Sequence, residues 1–337
     1  MKIHIQYKFK DGPYGGGNQF LKALKRHLEQ IGVYEADPWK ADIVLFNSFP
    51  FDAPWSDTQL IIKLKQKGKT IIHRIDGPIS GYRGHHIYID KSIYQLNNVL
   101  ADGTVFQSEF SQNENKKLGL KTKIFETVIY NAADPEIFHP RGRIVFDMNR
   151  KLKIIATSWS PNQNKGFAAY QWLDQHLDTK KYEMIFIGNS PTVFKRIKHI
   201  PPVDSYKLAE YLRQSDVYLS ASMNDPCSNS LIEALQCGLP AIVLKSGGHP
   251  ELIRDAGLTF NKPEETSTCL DIMSSQYERH QKAIVSPSIR SVVNQYQAFA
   301  EMVHTTRTRQ TTGPSFTNRM KLDLMSIAYL IRTRLTY

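Results

Sequence analysis

Short apolar runs recur along the chain, separated by longer segments whose apolar residues return every three or four positions. Lys2 to Tyr7 alternates as a strand does, and Ile43 to Phe46, Lys69 to Ile72, Gly103 to Phe106, Glu183 to Ile187, Asp216 to Leu219 and Pro240 to Leu244 are strand candidates. Phe20, Leu21, Leu24 and Leu28 fall on one helical face. So do Leu231, Ile232, Ala234 and Leu235, in a helix that Ser230 opens and that Gly238 and Pro240 stop. A last helical run covers Ser288 to His304. Strands that alternate with helices in this way predict an α/β chain of parallel sheets flanked by helices.

The chemistry sits where these strands end. Gly12-Pro-Tyr-Gly15-Gly16-Gly17 follows the first strand and precedes a helix, an order that lets backbone approach a phosphate or sugar closely. His73-Arg74-Ile75-Asp76 ends the strand that begins at Lys69, at the edge where open α/β sheets bind ligands. Asp76 either orients His73 or caps the turn. Ile154 to Ser158 leads into Ser160-Pro-Asn162-Gln-Asn164-Lys165, whose ammonium, at a helix start, can reach phosphate oxygens. Asp225-Pro-Cys227-Ser228-Asn229-Ser-Leu-Ile-Glu233 carries two carboxylates eight positions apart across a loop-to-helix junction. The N–H groups near Cys227 to Asn229 suit an anion, and a carboxylate one turn into the helix can reach a ribose. Ser230 and Glu233 also fit a capping box, in which the glutamate satisfies only a backbone donor.

In order along the chain, these segments resemble the retaining GT-B glycosyltransferases of family 4, with Asp225 and Glu233 in the place of that family's paired glutamates. Val128-Ile-Tyr-Asn131-Ala-Ala-Asp134 resembles the family's segment leaving its first domain. The resemblance implies two Rossmann-like domains facing each other across a donor-binding cleft, with a C-terminal helix returning to the first. It implies transfer of a sugar from a nucleoside diphosphate sugar to a hydroxyl acceptor, a surface glycan, polysaccharide or lipid-linked molecule. Asp225 meets the donor sugar in this scheme, Glu233 the ribose, Lys165 the diphosphate, and His73 the sugar from the first domain. Gly15, Gly16 and Gly17 let the first domain close on the donor, and Asn162, Asn164, Cys227, Ser228, Asn229, Gly247 and Gly248 supply further hydrogen bonds. Two departures stand out: Ser160 lies where many relatives carry an arginine five residues before the lysine, and Asp225 is one methylene shorter than the usual glutamate. A sugar-nucleotide epimerase or a non-catalytic nucleotide-sugar-binding protein of the same fold are the alternatives.

Composition fits this picture. The 337 residues, 41% of them hydrophobic, suffice for two cores. They divide as 1–150, an acceptor-side domain with its linker at 139–150; 151–285, the nucleotide-sugar domain; 286–304, the return helix; and 305–337, a basic tail. In the tail Arg307, Arg309, Arg319, Lys321, Arg332 and Arg334 face Asp323 alone, and Met320, Leu324, Ile327, Ile331 and Leu335 recur at helical spacing. Such a segment lies on an anionic membrane surface through 314–337 or packs on the first domain. The formal charge of +11 is spread along the chain without a nucleic-acid module, so nucleic acid is not an expected partner. Met1 to Lys10 lacks the apolar core of a signal peptide, which predicts a cytoplasmic location, at the inner membrane face if the tail engages lipid. The three cysteines fit neither a zinc site nor a disulfide framework. No two aspartates stand two apart, so the D-x-D metal site of other glycosyltransferases is missing, and neither a metal nor a cofactor is expected.

Overall fold

The computed structural model describes residues 1–12, 15–47, 54–83, 87–122, 125–307, 315, 317, 318, 320 and 322. It divides into two compact units. Unit 1 comprises Met1–Lys8, Leu24–Tyr130 and Arg290–Tyr337, and unit 2 comprises Phe9–Ala23 and Asn131–Ile289.

The first half of the chain alternates β1 (Ile3–Gln6), α1 (Gly16–Gln30), β2 (Ile43–Asn47), α2 (Pro54–Gln66), β3 (Thr70–Ile75), α3 (Ile79–Arg83), α4 (Ile87–Leu100), β4 (Gly103–Phe106), α5 (Glu109–Lys117) and β5 (Phe125–Val128). All five strands are parallel, in the order β1-β2-β3-β4-β5, which runs straight with no reversal. Strands β2, β3 and β4 are buried throughout, as near-continuous apolar runs in parallel sheets are.

The second half contains β6 (Leu152–Ser158), α6 (Phe167–His176), β7 (Tyr182–Gly188), β8 (Lys198–Ile200), α7 (Ser205–Arg213), β9 (Val217–Ser220), α8 (Asn229–Gln236), β10 (Ala241–Leu244), α9 (His249–Ile253), β11 (Gly257–Phe260), α10 (Glu265–Ser275), α11 (Tyr277–Lys282) and α12 (Ile289–Thr306). Strands β6 to β11 form a parallel sheet in the order β11-β10-β9-β6-β7-β8. The chain moves outward from β6 in one direction and from β9 in the other. That reversal creates a topological switch point, and open α/β sheets bind ligands outside the carboxyl ends of the strands there. A core of Ile154, Phe167, Tyr170, Leu173, Phe186 and their neighbours holds α6 and α10 against this sheet.

The stretch 139–150, expected as a linker, packs on unit 2. Arg150 forms a bidentate pair with the buried Asp216, at 2.6 and 2.8 Å, and Phe146 stacks on Tyr277. The expected return helix is α12, and it belongs to unit 1. A Cβ at Gly103 would lie 2.9 Å from Val303 and 3.1 Å from Phe299, so α12 presses directly on the start of β4. His304 bonds Thr70 at 2.7 Å. Beyond α12, the expected amphipathic tail lies mostly outside the described residues, although Leu322 is buried with Val44, Ile61, Ile62 and Leu64 of unit 1.

An ion cluster locks α12 in place. Asp102 accepts from Lys65 at 2.9 Å, from the Ile71 N–H at 2.9 Å and from Arg307 at 3.5 Å, with both cations buried. Asp102→Ala leaves Lys65 uncompensated in a dry environment and is expected to cost about 3 to 5 kcal/mol. Urea unfolding checks this, and a loss under about 1 kcal/mol, the ordinary worth of an exposed pair, would show that the cluster is solvated.

Candidate donor-binding site

The switch point between β6 and β9 is where the sequence motifs meet. After β6, Asn162 caps a 3-10 turn over Gln163–Lys165, its side-chain oxygen accepting the Asn164 N–H at 2.8 Å. Gly166 follows with a φ of +79°, and a Cβ there would stand 2.0 Å from the carbonyl oxygen of Ala221. Only glycine lets this turn press against the end of β9. The Asn164 carbonyl then accepts from the Met223 N–H at 2.7 Å, tying the two loops together.

This seam brings Lys165 to Asp225, Nζ to Oδ2 at 3.1 Å. Burial pushes the Asp225 carboxyl up, but Lys165, His249 and the Cys227 N–H outweigh it and hold the group below its usual range. The loop before α9 passes along the backbone of Asp225. A Cβ on Gly247 would lie 2.3 Å from the Asp225 carbonyl oxygen, and the Gly248 N–H donates to that oxygen at 2.9 Å. Two expected ligand donors are thus already engaged by the protein: the N–H of Cys227 bonds the Asp225 carboxylate, and that of Gly248 its carbonyl. Holding Asp225 is the work they do.

The helix carrying the second carboxylate opens one residue earlier than expected, at Asn229, with Ser228 as N-cap. Ser228 makes no side-chain cap bond; its hydroxyl lies 3.2 Å from that of Ser230. The capping box of Ser230 and Glu233 therefore does not form. Glu233 turns inward instead, 9% exposed, and its carboxyl makes no hydrogen bond or ion pair among the described residues. Burial alone pushes its carboxyl up to about 8. A carboxyl held in this way is a ready acceptor for hydroxyl groups that bring their own hydrogens, because each new bond relieves the desolvation of the charged form.

The glycine loop clusters with unit 2, as part of Phe9–Ala23. Asn18 closes it, bonding the Lys10 N–H and carbonyl at 3.0 and 2.9 Å. The glycines open α1 directly: Gly15 precedes it, and Gly16 and Gly17 are its first residues. Asn229 occupies the space of a side chain on Gly16, whose Cβ would fall 2.3 Å from that of Asn229. Asn131 donates to the Asn229 side-chain oxygen at 3.1 Å. The segment around Asn131, which in sequence marks only a domain boundary, thus reaches the start of α8.

His73 does not present itself to a ligand. It lies inside β3, paired with Phe46 and Thr104, and its ring stacks on Phe46 with Nδ1 3.2 Å from Asn97. Being 1% exposed, it is pushed down by burial to about 3 and is uncharged near neutrality. The strand runs three residues past Ile72, so the histidine expected at a strand end is strand interior. Asp76 braces Arg74 at 3.0 Å.

One histidine of the site has no role in the motif reading. His249, fully buried at the start of α9, bonds the Leu244 carbonyl through Nδ1 and the Ser220 hydroxyl through Nε2, each at 3.3 Å. Among the described residues no three His, Cys, Asp or Glu side chains are grouped to hold a metal ion. Cys227, Cys237 and Cys269 are buried and form no disulfide.

Residues 162–273, which contain Lys165, Asp225, Glu233 and His249, match the family described as glycosyl transferases group 1. That segment is similar to a group 1 glycosyltransferase domain. The chain's whole fold is GT-B, shared with the Anabaena protein Alr3699/HepE in complex with UDP, at 14% identity over 90% of this chain and 98% of that one with a TM-score of 0.60. A glycosyltransferase from Rickettsia africae ESF-5 aligns over 91% of this chain and 99% of its own, at 13% identity and a TM-score of 0.65. An alpha-glucosyltransferase in complex with UDP-glucose and DNA containing an abasic site aligns over 97% and 99%, at 12% identity and 0.58. No curated protein matches the chain in sequence. At these identities the neighbours share the fold, and the glycosyltransferase domain rests on the family match. Among the described residues no helix is long and apolar enough to cross a membrane.

Proposed function

We propose that this chain is a retaining, metal-independent glycosyltransferase of family 4 that moves a sugar from a nucleoside diphosphate sugar to a hydroxyl acceptor. The observation that carries the reading is the Lys165–Asp225 pair beside the inward-facing Glu233, at the switch point of unit 2 and inside the matched glycosyltransferase domain. Neighbours of the same fold hold UDP and UDP-glucose, which supports a nucleotide-sugar donor.

Glu233 accepts the ribose hydroxyls, and Asp225 meets hydroxyls of the donor sugar. Lys165 neutralises the diphosphate as its bond to the anomeric carbon breaks, a charge that grows toward the transition state and is best stabilised there. The acceptor oxygen bonds to the anomeric carbon on the face the phosphate leaves, and the acceptor proton passes to the departing phosphate oxygen. A nucleoside diphosphate and a glycoside result, with no metal or cofactor consumed. The acceptor is a surface glycan, polysaccharide or lipid-linked glycan, met at the inner membrane face through the basic residues of segment 314–337, although Leu322 of that segment is buried in unit 1.

Thermal stability measured against UDP, GDP, ADP and CMP sugars, with and without magnesium, tests the reading. Stabilisation by one nucleotide without metal is expected. A folded protein that responds to none would refute donor binding. Incubation with donor alone then separates transfer from epimerisation, because an epimerase converts the sugar without an acceptor.

A further inference from the structure

In this structure Lys165 is paired with Asp225, yet the reaction proposed above asks it to meet a diphosphate. It is the sole cationic side chain of the loop between Trp159 and Gly166. When a diphosphate draws Lys165 away, Asp225 is left 8% exposed without its counter-ion. An uncompensated buried carboxylate is costly, and a second positive charge must appear.

His249 is built to supply it. A carbonyl only accepts, so the bond to Leu244 puts a proton on Nδ1 and leaves Nε2 facing the Ser220 hydroxyl. In the neutral ring that hydroxyl donates to Nε2. If the ring gains a proton, the hydroxyl turns and accepts, so neither nitrogen loses its partner. The two residues preceding His249 lie against Asp225's backbone, and the charged groups acting on the ring are Asp225, from the loop before α8, and Lys165, from the turn before α6. Burial has the largest effect and holds the ring neutral while Lys165 is in place; against it, Asp225 and the Leu244 carbonyl favour the imidazolium, and Lys165 opposes it. Departure of Lys165 removes the opposing charge and frees the favouring one in a single motion.

We infer that His249 is a positioning residue that takes up one proton at Nε2 when a nucleoside diphosphate draws Lys165 from Asp225, so that the carboxylate keeps a cationic partner and its orientation toward the donor. The inference rests on the donor-binding reading. Nothing but a proton from solvent is consumed, and release of the diphosphate returns it.

Calorimetry of UDP binding to the full chain at pH 7.5, in buffers of different ionisation enthalpy, counts the protons exchanged. Protons exchanged by UDP itself or by Glu233 are common to wild type and variant, and cancel in the difference. Wild type is expected to take up close to one proton more than His249→Gln, and its UDP affinity to fall by up to about tenfold more per pH unit where the complex alone is protonated. Ser220→Ala keeps the ring but removes the acceptor of its second N–H, and is expected to take up fewer protons than wild type. It serves as the decisive variant if His249→Gln does not fold. Equal proton numbers in wild type and the folded variants overturn the role of His249 while leaving donor binding intact. GDP replaces UDP if the nucleotide panel selects it, and failure of every nucleoside diphosphate to bind overturns the inference together with the reading beneath it.

Discussion

Lys165→Ala is expected to lower turnover by about 10²- to 10³-fold, the usual cost of removing one group that stabilises charge developing on a leaving oxygen. Donor affinity should change much less, because the ammonium acts most strongly as the phosphate bond breaks. Stability falls as well. The pair with Asp225 is largely buried, and removal of one partner of such a pair costs about 3 to 5 kcal/mol. The dependence on pH identifies the cause. Asp225 is held below its ordinary 3.8 in the folded wild type, so its contribution is present above that value and is lost as pH falls through the lower folded value. The gap between wild type and variant should therefore be widest near neutrality and close in acid. Steady-state kinetics and urea unfolding at pH 7 and pH 3 check both arms. Equal losses in kcat and donor binding would reduce Lys165 to a ground-state contact, and a gap unchanged in acid would locate the damage elsewhere than Asp225.

Glu233→Gln should move stability and function in opposite directions. Burial raises the folded carboxyl from 4.5 to about 8, so the folded state keeps a proton that the unfolded chain has released. Wild-type stability is then undiminished below pH 4.5 and declines as pH rises toward about 8. The amide does not titrate, so the variant gains on wild type across that window. At pH 9 the gain is on the order of 5 kcal/mol, since each tenfold difference in proton affinity between the folded and unfolded chain is worth about 1.4 kcal/mol. Donor binding should weaken by about 1.5 to 3 kcal/mol, as for a lost charged hydrogen-bonding partner. Melting curves at pH 5 and pH 9, with nucleotide titrations, decide the matter. A variant no more stable than wild type at pH 9 would mean that water already solvates the carboxylate. Opposed movements of this kind mark a group kept for its chemistry at a cost to the fold.

Strand and helix order were legible because parallel strands buried on both faces leave unbroken apolar runs, and β2, β6 and β10 fall within a residue or two of where the pattern puts them. The seam of Lys165 and Asp225 was legible as two separate residues, but their pairing was not. It depends on Gly166 meeting the carbonyl of Ala221, fifty-five positions on, a contact that leaves no local pattern. Position within a strand misled in the case of His73. A polar residue after an apolar run reads as a strand end, yet Arg74 stays buried by bonding Asn47 at 2.6 Å and Asp76 at 3.0 Å, and the strand continues. His249 was hidden for a different reason. Its neighbours Gly247, Gly248 and Pro250 carry the turn signal, and a buried histidine between them looks the same in sequence whether it packs or titrates. The backbone N–H groups of Cys227 and Gly248 could not be allotted in advance, because side-chain identity says nothing about where a main-chain donor points.

The division of the chain also bears on how it is made. Unit 2 has every segment it needs once residue 289 has been synthesised, since its early piece, Phe9–Ala23, is already waiting. Unit 1 does not, although its five strands leave the ribosome first. The surface of β4 around Gly103 stays bare until α12 arrives to cover it, and Lys65 waits for the full set of partners that Arg307 completes at Asp102. A premature stop just after residue 289 leaves the second unit whole and the first one unfinished, with apolar sheet open to other chains. The first sheet to be translated is the last to be completed.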